Sequence, residues 1–113
     1  MDAGNLNGYW KRTAEDAIAT LRPHDSGEVI AASVVAWITL GPARLHYTLA
    51  TGDIASKSAA GRYAIDTFPA YRDVVSAALD WRSSGDAKFT YADCITGAEL
   101  AIDVVADANR RWG

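Results

Sequence analysis

An almost uninterrupted apolar run, Val29–Leu40, constrains the fold of this chain more than any other stretch of its sequence. One serine and one threonine interrupt the run, and its apolar residues do not keep to a single helical face. A helix that is apolar all round is buried in a protein core, and this run is shorter than the ~18 residues that a membrane span needs. We therefore predict a central buried helix over about Glu28–Ala50, capped by Asp25 or Ser26 in the preceding turn.

Gly41 and Pro42 lie in the middle of this predicted helix. Proline lacks a backbone N–H, and its ring clashes with the preceding turn, so a helix that contains it is kinked or broken. Two arrangements are open: one helix kinked near Ile38, or two helices with a break at Gly41. We favour the kink at Pro42, because the apolar pattern resumes directly with Ala43 and Leu45.

Four further helices are predicted from apolar residues that recur at helical spacing. Gly52 is expected to end the central helix in a left-handed conformation, and Ser56 to cap the helix that follows. Thr90 and Asp93 form a capping box with aspartate in place of glutamate. No convincing strand is found and the connections are short, so we predict an all-α fold, an antiparallel bundle of about five helices. The four additional ranges are about Gly8–Leu21, Lys57–Phe68, Ala70–Arg82 and Tyr91–Arg111.

Length and composition exclude several classes of protein. The 113 residues suit one helical domain over 1–113. The net charge of -3 lacks the basic surface that nucleic-acid binding requires. Cys94 is the one cysteine, so no intrachain disulfide can form. Because the N-terminus lacks the basic and apolar regions of a signal peptide, we expect a cytoplasmic protein.

Residues for metal or nucleophilic chemistry are sparse. One cysteine and two histidines, His24 and His46, are too few for a structural zinc site. His46 borders an apolar face, so we predict a hydrogen-bonded core or rim residue rather than a metal ligand. Cys94 lies within a predicted helix with no histidine nearby in sequence, which disfavours a catalytic role.

Three acidic residues of the last predicted helix, Glu99, Asp103 and Asp107, recur at four-residue spacing and stack along one face. Such a strip could face a cation. A solvated face closed at its end by Arg110 and Arg111 is the more ordinary arrangement, and it is the one we predict.

The tryptophans Trp10, Trp37 and Trp81 fall on apolar helical faces, so each is predicted to lie in the core. Trp37 or Trp81 could instead border a ligand cleft, because an indole ring stacks on a ligand while its N–H donates a hydrogen bond.

Lys57 occupies an electrostatically unfavourable position, since it opens a predicted helix at the positive end of the helix dipole. An exposed lysine there could be accidental. The position becomes favourable if an anion binds between the ammonium group and the free helix amides, which makes Lys57 a candidate anion-binding residue.

The stretch Ala43–Lys57 reads ARLHYTLATGDIASK and resembles the C-terminal helical domain of aminoglycoside adenylyltransferases of the streptomycin and spectinomycin type. The shared pattern is an arginine, Arg44, a tyrosine three positions later, a threonine-glycine pair, an isoleucine, and a lysine that opens the next helix. The likeness covers most of the chain and weakens after Gly85. It continues through Ala60, Tyr63, Ala64, Pro69 and Tyr71.

The resemblance implies that this domain closes a cleft against an N-terminal nucleotidyltransferase domain that binds ATP and Mg²⁺. It implies nucleotide-binding roles for Lys57, toward the ATP phosphates, and for Trp81, beside the nucleotide. The paired carboxylates that hold Mg²⁺ in such enzymes follow a Gly-Ser motif, and no Asp-x-Asp pair occurs in this sequence. We therefore expect the nucleotidyltransferase domain to be absent, and the chain alone to bind no cofactor and catalyse no transfer.

The resemblance also implies substrate-binding residues for an aminoglycoside. The position of the family's drug-binding aspartate corresponds to Val34, which cannot bind a cationic drug through charge. Asp25 or Glu28, in the preceding turn, are the acidic residues that could substitute for it. Trp37 is the candidate aromatic residue on this side of the cleft.

Two other classes of function remain open. One is a stand-alone small-molecule binding module or homodimer, in which the apolar surface that normally meets the partner domain is covered by association. The other is a helical ribonuclease toxin, which needs an arginine and a histidine several residues apart on one helix. Arg44 and His46 are only two positions apart, and Pro23 separates Arg22 from His24, so the sequence disfavours the toxin.

Overall fold

The computed structural model describes residues 3–112 of the chain, with side chains from residue 8 onward. Within this range the fold is all-α with five helices, as predicted, and it also contains a two-stranded sheet. A single 3-10 turn, Pro69–Tyr71, precedes the fourth helix. The helices are α1 (Ala3–Leu21), α2 (Ala32–Thr51), α3 (Lys57–Thr67), α4 (Arg72–Ser84) and α5 (Tyr91–Trp112), and the strands are β1 (Val29–Ile30) and β2 (Phe89–Thr90).

The central helix α2 is the apolar run that dominates the sequence, and the other four helices all pack against it. Val35, Ile38 and Leu40 are buried on different sides of this helix. The helix continues through Gly41 and Pro42, so the arrangement of two helices broken at Gly41 is excluded. The kink near Ile38, caused by Pro42, stays a prediction. Among the described residues, none of the helices combines the length and apolar character that crossing a bilayer requires.

The predicted beginning of the central helix is wrong, and so is the expectation that the chain forms no strand. Val29 and Ile30 pair antiparallel with Thr90 and Phe89, respectively, so the backbone before α2 is extended rather than helical. The β-branched side chains of Val29 and Ile30 favour this conformation. Ala31 is the residue that precedes α2, and it makes no side-chain capping hydrogen bond.

Neither Asp25 nor Ser26 caps α2, contrary to the prediction. The turn that contains them supports the beginning of α5 instead, because the backbone N–H groups of Tyr91 and Ala92 donate to the carbonyl oxygens of Glu28 and Ser26 at 2.8 and 3.1 Å. These contacts occupy donors that the first turn of a helix otherwise leaves unpaired.

The other local signals predicted from the sequence are confirmed. Gly52 ends α2 with a φ of 79°. The Ser56 hydroxyl oxygen accepts a hydrogen bond from the backbone N–H of Ala59 at 3.1 Å and so caps α3. The capping box at α5 is reciprocal: the Thr90 N–H donates to Asp93 Oδ2 at 2.9 Å, and the Asp93 N–H donates to Thr90 Oγ1 at 3.3 Å.

Helices α2 and α5 run side by side in the same direction, which differs from the antiparallel packing expected of neighbouring helices in such a bundle. Thr39 of α2 lies against Gly97 of α5, and further along both helices His46 hydrogen bonds with Asp107. From the first contact to the second, the residue numbers increase along both helices, so the two helices are parallel. Parallel packing is possible because α3 and α4 intervene between these two helices in the chain.

Gly97 is required by the close approach of α5 to α2. A Cβ atom at this position would lie 2.5 Å from Thr39 Oγ1, far inside van der Waals contact. Thr39 is completely buried, so its hydroxyl has little room to move away from such a Cβ atom. Packing therefore explains a glycine that helix propensity alone would disfavour.

We expect Gly97→Ala to destabilise the domain by about 1–3 kcal/mol, the usual effect of overpacking a core. Helix propensity alone would predict the opposite sign, a gain of about 1 kcal/mol. Urea unfolding of the two proteins, monitored by far-ultraviolet circular dichroism, measures the difference in the free energy of unfolding.

The control is the same substitution in a Thr39→Ala background, in which the clashing hydroxyl is removed. The destabilisation by Gly97→Ala should then fall by at least half. An equal loss in both backgrounds would show that the contact with Thr39 is not its cause.

Candidate functional site

Lys57 is the first residue of α3. It directly follows residues 52–56, which connect α2 to α3 and which we refer to as the joint. The joint is held in place by Arg44, whose Nε donates to the carbonyl oxygen of the buried Ala55 at 3.2 Å. Lys57 itself is half-buried, and its ammonium group has no carboxylate partner among residues 8–112. At this position the unpaired ammonium group of Lys57 therefore lies at the positive end of the dipole of α3.

Trp81 lies in α4, one turn before its end, and packs half-buried against the hydrophobic core. Its backbone carbonyl oxygen accepts the N–H of Gly85, which ends the helix with a φ of 70°. The prediction that Trp81 belongs to the core is therefore met in part.

Asp25 and Glu28 lie in the exposed turn between α1 and β1. Asp25 Oδ1 accepts the backbone N–H of Gly27 at 2.9 Å, and the Asp25 carbonyl oxygen accepts that of Glu28 at 3.1 Å. The Asp25 carboxylate thus stabilises its own turn, whereas in the described chain the Glu28 carboxylate makes no ion pair.

Trp37 is not a core residue, contrary to the prediction, because it is 40% exposed. Its ring packs against those of Trp10 and Tyr9, with centroid separations of 4.9 and 6.5 Å. Val34, one turn earlier on α2, is also exposed. We refer to Tyr9, Trp10, Val34 and Trp37 as the aromatic patch. The exposure of these residues shows that the other helices leave part of the apolar surface of α2 uncovered.

The structure does not bring the predicted site residues into one cluster. Asp25 and Glu28 precede α2, Trp37 lies in its first half, and Lys57 follows its end. The 20 residues of α2 extend about 30 Å along the helix axis. Trp37, however, lies only seven residues, about 10 Å, before Arg44 on α2, and the Arg44 side chain contacts Ala55 close to Lys57. The roles of these residues stay predictions.

A second polar cluster, centred on His46, was not identified as a unit from the sequence. The His46 side chain is 0% exposed. Its Nδ1 lies 2.5 Å from the Tyr63 hydroxyl oxygen, and its Nε2 lies 2.6 Å from Asp107 Oδ2. Arg110 and Arg111 also contact the Asp107 carboxylate, at 2.9 and 3.0 Å. These five residues are the His46 network, and they confirm that His46 is a hydrogen-bonded core residue.

The prediction that the acidic strip forms a solvated face is wrong for Asp107, which is buried. Burial acts to raise the pKa of the Asp107 carboxyl, but the hydrogen bond from His46 and the charges of Arg111 and Arg110 outweigh burial and hold that pKa below its usual range. The predicted closure of the strip by Arg110 and Arg111 is confirmed, since both contact this carboxylate.

The other two strip residues are exposed, as predicted. Asp103 accepts a hydrogen bond from the Tyr71 hydroxyl. Burial, together with this hydrogen bond and the charges of Asp103 and Glu99, raises the pKa of Tyr71 to about 12. The strip is therefore divided between a solvated part and a buried end.

The sequence did contain a signal for the burial of Asp107. Leu100 and Val104, seven and three positions earlier, are both buried on the core face of α5, and helical periodicity places Asp107 on that same face. Two arginines at i+3 and i+4 could neutralise a carboxylate there. The partner His46 was not predictable in this way, because it is 61 residues distant.

We expect Asp107→Ala to destabilise the domain by about 3 kcal/mol, because it leaves the buried His46 Nε2 and two arginines without their acceptor. The exposed Glu99, on the same strip, provides the control: Glu99→Ala should change the free energy of unfolding by less than about 0.5 kcal/mol. Equal effects of the two substitutions in urea unfolding would contradict the structural role of Asp107.

The effect of Asp107→Ala should depend on pH. The carboxyl has a lower pKa in the folded state than in the unfolded chain, so its contribution is complete above about pH 4 and is lost as the pH falls through the folded value. The stability difference between wild type and Asp107→Ala should therefore shrink below about pH 4. A difference that stays constant down to pH 2 would contradict this linkage.

A protein-family model, described as the C-terminal domain of aminoglycoside adenylyltransferase, matches residues 14–102. The matched region includes the joint between α2 and α3 and all the predicted site residues, whereas Asp107 and its arginines lie beyond it. No curated protein and no solved structure gave a significant match. Since the family model covers more than half of the sequence, the chain belongs to the aminoglycoside adenylyltransferase C-terminal domain family.

Proposed function

We propose that this domain is the substrate- and nucleotide-closing part of an aminoglycoside adenylyltransferase, an enzyme of antibiotic resistance, and that it is not catalytic alone. The match to the family model carries the proposal. The unpaired Lys57 at the beginning of α3 supports it, because adenylyl transfer requires a site for the triphosphate of ATP. The proposal places the protein in the cytoplasm, where ATP is available.

Lys57 is the residue that we assign to the ATP phosphates. An ammonium group and the first backbone N–H groups of a helix together form a site for a phosphate group. The hydrogen bond from Arg44 to Ala55 holds the loop before this helix, so that little ordering is needed when the phosphate binds. In adenylyl transfer, a drug hydroxyl attacks the α-phosphorus and pyrophosphate leaves, and Lys57 would bind the leaving phosphates.

Mg²⁺ is assigned to the partner domain. In the part of the chain that the structure describes, no group of three or more His, Cys, Asp or Glu residues is arranged to hold a metal ion. We therefore propose that a nucleotidyltransferase domain, on the same polypeptide or a separate subunit, supplies the carboxylates that bind Mg²⁺ against the triphosphate.

The proposed cleft extends along α2. The nucleotide occupies the Lys57 end, with Trp81 beside it, and the aminoglycoside occupies the end with Trp37, Asp25 and Glu28. The two ligands meet between these ends, where the acceptor hydroxyl must contact the α-phosphorus.

The 113-residue protein alone, incubated with Mg-ATP and streptomycin, should transfer no AMP above background. The reason is that the sequence lacks an Asp-x-Asp pair for the metal. Thin-layer detection of radiolabelled AMP on the drug measures the transfer. Turnover by the purified chain would show that it supplies its own metal-binding carboxylates.

Lys57→Ala should lower kcat/KM for ATP about 10- to 100-fold once the domain is assembled with its nucleotidyltransferase partner, the effect of losing a hydrogen bond to a charged group. The stability of the domain should change by less than about 0.5 kcal/mol, because Lys57 makes no ion pair in the described chain. The control is Lys88→Ala, which removes the same charge from an exposed loop. Equal losses for both variants would indicate a general charge effect and remove Lys57 from the site.

A stand-alone binding or dimerisation module is the second candidate function, and the exposed aromatic patch is the observation that favours it. If the patch mediates association, Trp37→Ala should convert a dimer into a monomer in sedimentation velocity, whereas the exposed Ile54→Ala should not. A wild-type protein that is monomeric at all accessible concentrations would exclude the dimer.

A further inference from the structure

The buried residues of α3 are small: they are Ala60, Gly61 and Ala64. Small residues let a helix approach its neighbours closely. They restrict its rotation and sliding less than large interlocking side chains do, because they form shallow ridges. Hydrophobic burial has no direction of its own. Packing therefore holds α3 in the fold, while directional contacts are what fix its exact position on α2.

Two hydrogen bonds from α2 supply such directional contacts, and they lie on either side of Lys57 in the chain. Before Lys57, the carbonyl oxygen of Ala55 accepts a hydrogen bond from Arg44 Nε at 3.2 Å. After Lys57, the hydroxyl oxygen of Tyr63 lies 2.5 Å from His46 Nδ1. The chain that carries Lys57 is thus attached to α2 two residues before it and six residues after it.

The second of these attachment points is itself fixed. The His46 side chain is 0% exposed, and its Nε2 lies 2.6 Å from Asp107 Oδ2 of α5. The rings of Phe68 and Trp112 lie beside the imidazole, with centroid separations of 5.4 and 4.9 Å. An imidazole that is bonded at both nitrogens and enclosed by rings cannot turn to follow Tyr63. The Tyr63 hydroxyl is therefore held at one place relative to both α2 and α5.

We propose that Tyr63 is a positioning residue for Lys57. Its hydrogen bond to His46, which Asp107 fixes in turn, holds α3 where the Lys57 ammonium group meets the ATP phosphates. The inference rests on the proposed function, in which Lys57 binds these phosphates. Tyr63 acts through α3 and not on the nucleotide. A displacement of about 1 Å at a binding group, caused by a distant change, can lower an enzyme's rate about 100-fold.

The test compares Tyr63→Phe with Tyr47→Phe in the full 113-residue chain. Both variants keep the aromatic ring and lose one hydroxyl group. Tyr47 packs against Tyr63 with 5.3 Å between ring centroids, but in the described chain its hydroxyl has no hydrogen-bond partner. Tyr47→Phe is therefore the matched control for removing a phenolic hydroxyl from the same part of the molecule.

The first measurement is of the placement of α3, by backbone N–H residual dipolar couplings. In wild type and in Tyr47→Phe, the couplings of α2, α3 and α5 should fit one common orientation. In Tyr63→Phe the couplings of α3 should depart from that fit or become smaller, because the helix changes its orientation or averages over several. Couplings of α3 that are the same in Tyr63→Phe and wild type would overturn the proposal.

The second measurement is of anion binding, with inorganic tripolyphosphate as the probe and the amide shifts of residues 57–59 as the signal. If α3 is in the binding position for only part of the time, the apparent Kd rises in inverse proportion to that fraction. Tyr63→Phe should raise the Kd about three- to tenfold, the range set by one net hydrogen bond. Tyr47→Phe should leave it unchanged.

Lys57→Ala separates a positioning role from a general loss of stability. If Tyr63 acts through Lys57, Tyr63→Phe should have no further effect on the Kd in the Lys57→Ala background. Equal effects of Tyr63→Phe in both backgrounds would overturn the proposal.

The two levels of the argument fail differently. Binding that depends on Lys57 but is equally strong in wild type and Tyr63→Phe would overturn the positioning role alone and leave the proposed function intact. A wild-type chain in which tripolyphosphate binding does not depend on Lys57 would overturn the role of Lys57 in the proposed function, and the positioning role with it.

Discussion

The burial of α2 is the constraint on which the rest of the structure depends. Its apolar residues point in all directions, so no single neighbouring helix can cover them, and the other four helices all pack on it. Close packing on such a helix requires small residues at its contacts. Gly41 of α2 is met by the ring of Trp10, and Gly97 of α5 is met by Thr39. At both contacts a Cβ atom in place of the glycine hydrogen would clash, so a glycine is required there.

Features that depend on neighbouring residues could be predicted from the sequence, whereas features that depend on distant residues could not. The Gly52 stop, the Ser56 cap and the Thr90–Asp93 capping box are each formed within three or four positions, and all were predicted. The pairing of Val29 with Thr90 joins segments that no local pattern connects, so the beginning of α2 was misplaced.

The same distinction between local and distant features applies to the residues of the candidate site. Lys57 was identified by its position at a helix N-terminus, a purely local feature, and the structure places it there. The exposure of Trp37 could not be predicted, because it depends on which part of α2 the other helices leave uncovered. Asp107 shows the reverse error: its charge suggested solvent, while its place in the apolar periodicity of α5 and its partner His46 make it part of the core.

The two-residue sheet has a consequence beyond the few hydrogen bonds that it contributes. One residue separates the end of β1 from α2, and β2 ends directly before α5. The pairing of the two strands therefore places the beginnings of α2 and α5 next to each other. One residue gained or lost in the first half of α2 would shift His46 by about 1.5 Å and rotate it by about 100° around the helix axis, away from Asp107. Length changes in this part of α2 are therefore tolerable only with a matching change in α5, so that the two helices must vary in length together.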